Sequence, residues 1–123
     1  MAGATLTVTL ADGITIGDDR HRTATLRELT AADIFAAQEA AERLVYSPDA
    51  DGRMAPVLVV SDSKFGVELL RRQTASIGDI TKITTDVLGR LSARDLAQLQ
   101  QAAADLEAGA SRTMQEISER GRS

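Results

Sequence analysis

Leu6, Val8 and Leu10 alternate with threonines near the start of the chain, and Ile14 and Ile16 resume the alternation after a polar break at Ala11-Asp12-Gly13. A period of two marks a half-buried strand, and Asp-Gly is a strong turn signal. Residues 5–16 therefore predict a β-hairpin turning at Asp12-Gly13. A polar loop follows, and Arg22-Thr23-Ala24-Thr25-Leu26 predicts a third short strand. From Thr30 the period changes. Thr30 and Asp33 have the spacing of a capping box, with Asp in place of the usual Glu. Ile34, Ala37, Ala41, Leu44 and Val45 then recur at helical spacing, which predicts a helix ending near Val45.

Residues 46–56 hold both prolines, Pro48 and Pro56, together with Gly52, and read as a loop. Val57–Val60 fits a strand by propensity, or equally the first turn of the helix that Ser63–Ser76 predicts. That helix carries Phe65, Leu69 and Leu70 on one side, and Gly78 ends it. Thr84 or Thr85 can cap a short helix bearing Val87, Leu88 and Leu91. Ser92 and Asp95 repeat the capping pattern before Ala93–Ala108, a run of strong helix formers, with Gly109 as its C-cap. The predicted fold is α+β: a short N-terminal β-hairpin of two or three strands, then three to four helices, mainly α. The expected organisation is one small domain over 1–109, with 110–123 a polar tail or helix extension.

Leu, Ile, Val and Phe make up about a quarter of the chain, above the fifth or so below which disorder is the rule. Phe35, Tyr46 and Phe65 are the only aromatics, so the core must be aliphatic and alanine-rich. A net charge of −4 argues against nucleic acid, which selects a basic stripe. There is no cysteine, which excludes disulfides and thiolate sites. The longest apolar run is too short to cross a membrane, and no secretory signal is visible. These features lead to the expectation of a soluble intracellular protein.

Three short patterns invite chemistry and do not sustain it. Ser61-Asp62-Ser63-Lys64 has the S-x-x-K spacing of some acyl-enzymes, but the companion motifs are missing; a serine cap explains it. Asp49-x-Asp51-Gly52 resembles the start of a calcium loop, which needs a glutamate at its twelfth position. Counting from Asp49 gives Val60, and from Ser47 gives Leu58. Asp18, Asp19 and His21 offer one histidine and no cysteine, a poor set for a soft metal. No catalytic, metal-binding or cofactor-binding residue is expected. For a partner, Leu96, Leu99, Ala103 and Leu106 recur at alternating spacings of three and four. If the helix passes Gly109, Ala110 and Ile117 continue the seam, as in a coiled-coil stripe. The simplest reading turns this stripe to the core. Its continuation to Ile117 suits a helical partner or self-association. Arg71 and Arg72 could meet a partner's carboxylate, although Glu68 sits four residues before Arg72, as on an ordinary solvated helix face.

Three segments in order, HRTATLRELTAADIFAAQEAAERLV, VELLRRQTASIGDI and LGRLSARDLAQLQQAAADLE, are similar to the tail assembly chaperone family of tailed phages, in its Mu-like prophage branch. Leu26, Arg27, Glu28, Thr30 and Asp33 fit the first part of the family pattern. Leu69, Leu70, Arg71, Arg72, Gln73, Ile77 and Gly78 fit the second, and Leu91, Asp95, Leu96 and Leu99 the third. The resemblance spans roughly residues 5–107 and leaves 108–123 without a counterpart. It implies a non-catalytic protein of the host bacterial cytoplasm, without cofactor, that binds the tape-measure protein during tail morphogenesis and is absent from the finished virion. The tail tube protein and a second copy of the chain are the next partners it implies; nucleic acid and membrane are not among them. In many relatives a programmed frameshift adds a second domain. The rival readings are a small oligomeric adaptor or regulator, such as an antitoxin-like module, and an enzyme subunit lending helices to a partner's site.

Overall fold

The computed structural model describes residues 4–120, with side chains as far as Gly109. Strand β1 (Thr5–Ile16) runs straight through Asp12-Gly13 and turns instead at Gly17-Asp18 into β2 (Asp19–Arg27). The two strands expected within residues 5–16 are one strand, and the strand expected at 22–26 is its hairpin partner β2. Asp12-Gly13 sits where the β1–β2 register slips, between Thr9 and Ile14. It is a bulge, with Gly13 at φ +76°. Gly17 at φ +62° takes the first of two turn positions, where a two-residue hairpin needs a glycine.

Helix α1 (Ala31–Ala41) starts at the predicted capping box. Asp33 N–H donates to Thr30 Oγ1 at 3.2 Å, and Thr30 N–H donates to the Asp33 carboxylate at 2.8 Å. It stops four residues early. Glu42 is extended, and Leu44 and Val45 lie in β3 (Glu42–Pro48), paired antiparallel with β4 (Met54–Val60). The expected loop is therefore a β-hairpin. Each of its two strands has one free edge, where a proline's missing N–H is tolerated, so Pro48 and Pro56 did not exclude strands. Val57–Val60 resolves as strand.

Helix α2 (Asp62–Gln73) gives way at Thr74, whose hydroxyl donates to Leu70 C=O at 2.8 Å. Residues 74–77, predicted to be helical as far as Ser76, form β5 (Thr74–Ile77), which pairs with the outer edge of β2. Four residues are too few to display a strand period of their own. Thr84 caps α3 (Thr85–Gly89), accepting from Val87 N–H at 3.2 Å. Helix α4 (Ala93–Arg120) continues through Gly109 instead of stopping there.

The fold is thus a sheet-rich α+β arrangement. Five strands in two sheets, ordered β1-β2-β5 and β3-β4, replace the expected hairpin followed by mainly helices. The chain divides into two compact units, residues 30–69 and the remainder, with the boundary inside α2 between Leu69 and Leu70. In the larger unit α4 packs on β1 and β2. Leu10, Leu26, Ile77 and Leu99 are fully buried there, with Ile83, Leu88 and Leu106 around them. Glu107 on α4 accepts from Leu29 N–H, just past β2, at 3.2 Å and from Gln73 Nε2, at the end of α2, at 3.1 Å. Among the described residues no helix is long and apolar enough to cross a membrane.

Candidate functional site

Among the described residues, the exposed large apolar side chains gather in residues 30–69. Of the large apolar side chains exposed among the described residues, Ile16 alone lies outside this unit. The β3–β4 register explains why they gather. It sets Leu44 against Leu58, Tyr46 against Pro56, Pro48 against Met54 and Glu42 against Val60. Side chains alternate across a strand, so these eight residues share one face, and all eight are exposed. Tyr46 is 64% and Leu58 65% exposed. The opposite face carries Val45, Ala55 and Val59, all half-buried. On α1, which lies beside β4, Ile34 and Phe35 are also exposed, Phe35 by 67%.

Single exposed apolar residues are ordinary, but a contiguous apolar face is a recognition feature. Burying one such side chain is worth about 1.5–3 kcal/mol, so Leu44, Tyr46, Met54, Leu58 and Val60 together leave several kcal/mol unrealised. A two-stranded hairpin is also marginal by itself in water. The same unit is acidic. Residues 30–69 hold seven carboxylates (Asp33, Glu39, Glu42, Asp49, Asp51, Asp62, Glu68) and three cations (Arg43, Arg53, Lys64), a difference of −4 that equals the formal net charge of the whole chain.

The residues singled out from the sequence fall elsewhere. Leu99, Ala103 and Leu106 are buried in the core of the larger unit, and Leu96 packs half-buried against it. Ile117 lies within the span of α4, but its side chain, like that of Ala110, is outside the described residues. Arg71 and Arg72 are partly buried at the end of α2, with Arg71 Nη1 donating to Ile83 C=O at 3.5 Å. Ser61 Oγ accepts from Lys64 N–H at 3.4 Å and stands 3.3 Å from Ser63 Oγ, the behaviour of a helix start. Asp49 Oδ1 accepts from Asp51 N–H at 2.9 Å and Arg53 N–H at 3.0 Å, which closes the β3–β4 turn. His21 Nδ1 accepts from Asp79 N–H at 3.4 Å. No cluster of three or more metal-ligating side chains occurs among the described residues.

One buried polar group was read in the sequence only as part of a cap. Ser92 Oγ does accept from Asp95 N–H, at 3.2 Å. The Asp95 carboxylate, fully buried, reaches instead to the β1 bulge. It accepts from three consecutive amides, Ala11 at 2.9 Å, Asp12 at 3.2 Å and Gly13 at 2.8 Å. Asp12 answers from the bulge, accepting from Ser92 Oγ at 2.6 Å and Arg94 Nε at 2.7 Å, with Arg94 Nη2 on its other oxygen. The Arg94 guanidinium and then the Ser92 hydroxyl hold the Asp12 carboxyl well below the usual carboxylate range. The clasp anchors the start of α4 on β1. Each local pattern, Asp-Gly and Ser-x-x-Asp, was visible; their pairing across the chain was not.

A family model described as tail assembly protein gp41 matches residues 10–122. The chain belongs to this family. The Mu-like prophage FluMu protein gp41 of Haemophilus influenzae is 40% identical over 92 residues, covering 68% of this chain and 69% of that protein. The probable tail assembly protein gp41 of Escherichia phage Mu is 41% identical over 120 residues, covering 92% and 77%. The probable tail assembly protein FS-gp41 of the same phage is 42% identical over 95 residues, covering 73% of this chain and 48% of its own length. The chain thus spans about half of that longer relative. No solved structure matches. The match bears out the Mu-like tail assembly resemblance seen in the three sequence segments.

Proposed function

We propose that this gp41-family chain is a non-catalytic tail assembly chaperone that binds the tape-measure protein in the bacterial cytoplasm during tail morphogenesis. One observation carries the reading: in a chain of a tail assembly family, the exposed apolar residues gather on one acidic unit, centred on the Leu44, Tyr46, Met54, Leu58 and Val60 face. A long helical tape-measure protein exposes apolar stripes until tube subunits enclose it. A protein that shields it needs an apolar surface of its own in water, and this unit has one. The α4 seam from Leu96 to Leu106 is occupied by the chain's own core, which moves the proposed contact from α4 to the hairpin. The tail tube protein is a second proposed partner, met as the tube grows.

Co-expression tests this directly. The tape-measure protein from the same phage or prophage should stay soluble and co-purify with the chain. Without the chain it should aggregate, and particles should lack tails. A tape-measure protein equally soluble alone, with no co-purification, would refute the chaperone role.

A further inference from the structure

We propose that the exposed face of the β3–β4 hairpin takes a basic amphipathic helix, and not a second copy of this chain. The inference deepens the chaperone reading and rests on it, because it names the chemistry of the segment bound. Four observations converge on it.

The first is the shape of the face. Each strand has seven residues, and at about 3.3 Å per residue this gives a length of roughly 20 Å. Two strands about 4.8 Å apart, with their side chains, make a platform about as wide as a helix, whose diameter is roughly 10 Å. An extended segment would add to a strand edge, whereas the apolar side chains here stand on the face. At 1.5 Å per residue a helix crosses it in about 14 residues, four turns.

The second is the chemistry of the face. Leu44, Tyr46, Met54, Leu58 and Val60 are accompanied by one residue charged at neutral pH, Glu42, at its open end. The third is what borders it. Asp49 and Asp51 occupy the turn at the far end, and Asp62 lies two residues past Val60. Arg43 falls on the opposite face by alternation. Carboxylates therefore stand at both ends of an apolar strip. An occupant with an apolar stripe and Arg or Lys near its ends complements that arrangement.

The fourth concerns the competing occupant. A second copy would bring a like unit, also at −4, against the same carboxylates, and like-charge juxtaposition disfavours that pairing. Charge complementarity selects the cationic helix over self-association.

The test uses the full chain and two dye-labelled 14-residue peptides. Both carry leucines at i, i+3, i+4 and i+7 spacing; one has arginines at the flanking positions and its twin has glutamates. Fluorescence anisotropy should show the arginine peptide binding at least tenfold tighter at about 10 mM salt. The advantage should shrink at about 150 mM, as the screening length falls from about 30 to about 8 Å. Leu58→Ser should weaken the arginine peptide about tenfold, and Glu42→Gln with Asp51→Asn several-fold, each with an unchanged melting temperature. Should Leu58→Ser lower that temperature, Tyr46→Ser is the second variant and carries the same expectation. Equal affinity for the two peptides overturns the proposal, as does binding that is indifferent to the face variants. Sedimentation showing a wild-type dimer that Leu58→Ser converts to monomer also overturns it, in favour of a second copy. Co-purification of the tape-measure protein separates the two levels. If wild type retains it and Leu58→Ser loses it while the peptides bind alike, the chaperone reading stands and the basic-helix chemistry falls. If the peptides behave as expected and the tape-measure protein never co-purifies, the surface chemistry stands and its assignment to the tape-measure protein falls.

Discussion

Replacing Asp95 with alanine should destabilise the fold by about 2–4 kcal/mol. The side chain is fully buried, and three backbone amides of the β1 bulge, Ala11, Asp12 and Gly13, donate to it. An amide that loses its acceptor in a dry place costs about 1–3 kcal/mol. Ala11 is exposed, however, and Asp12 and Gly13 are half-buried, so water can replace part of what is lost. Removing a buried carboxylate also recovers some of its desolvation cost. These offsets bring three amides to the stated range. Near 4 °C per kcal/mol for a chain of this size, the melting temperature should fall by about 8–16 °C. Asp95→Asn keeps one acceptor oxygen and turns an N–H₂ towards an amide donor, so it should fall between alanine and wild type. Thermal unfolding by circular dichroism measures the loss, and hydrogen exchange locates it, because protection should fall first at residues 11–13. A fall below about 3 °C in Asp95→Ala, with those amides still protected, would show that the bulge is held by something other than this carboxylate.

Three further outcomes follow from the same geometry. Gly13→Ala should be much worse than Gly17→Ala, although both sites have positive φ: a Cβ at Gly13 would stand 2.5 Å from the His21 carbonyl oxygen, whereas nothing lies within 4 Å at Gly17; equal melting temperatures would contradict the placing of bulge and turn. The Asp12 carboxyl is held down by Arg94 and then Ser92, so its contribution is present above the unfolded carboxylate value near 3.9 and is lost as pH falls below it. The wild-type advantage over Asp12→Asn in urea denaturation should therefore shrink between about pH 4 and pH 2, and an advantage that grows there would reverse the assigned sign. Ser61→Ala with Lys64→Ala should leave tail production intact at a stability cost of about 1 kcal/mol for the lost cap; loss of infectious particles with the fold preserved would reopen a chemical role for the pair.

The fold was legible wherever one residue type decides the backbone. Thr30, Thr84 and Ser92 each cap where the spacing put them. Leu6, Val8 and Leu10 alternate in β1 as read, with Leu10 in the core. The turn was misplaced because Asp-Gly suits a bulge as well as a hairpin, and Gly17-Asp18 carries the same chemistry in the opposite order. What chose between them was Asp95, 83 residues from Asp12. Helix α4 kept its core stripe as the spacing implied and ignored Gly109 as a stop, since a mid-helix glycine costs only about 1 kcal/mol. β5 was absorbed into α2 because its pairing partner, the outer edge of β2, is remote in sequence.

The hairpin of residues 42–60 was missed for a reason that bears on function. The helical spacing of Ile34, Ala37 and Ala41 extends into Leu44 and Val45 because a strand with apolar residues on both faces loses its period of two. Leu44 and Tyr46 face water while Val45 is half-covered, so consecutive positions are apolar and the run imitates a helix face. A hairpin selected only for its own stability would place polar residues at 44, 46, 54 and 58, and its alternation would then have been readable. Departures from the pattern that folding alone favours concentrate where a protein binds or reacts. The segment least legible from hydrophobic spacing is therefore the one with the strongest claim to a partner. Its apolar outer face gives β3 and β4 no benefit until another molecule covers it.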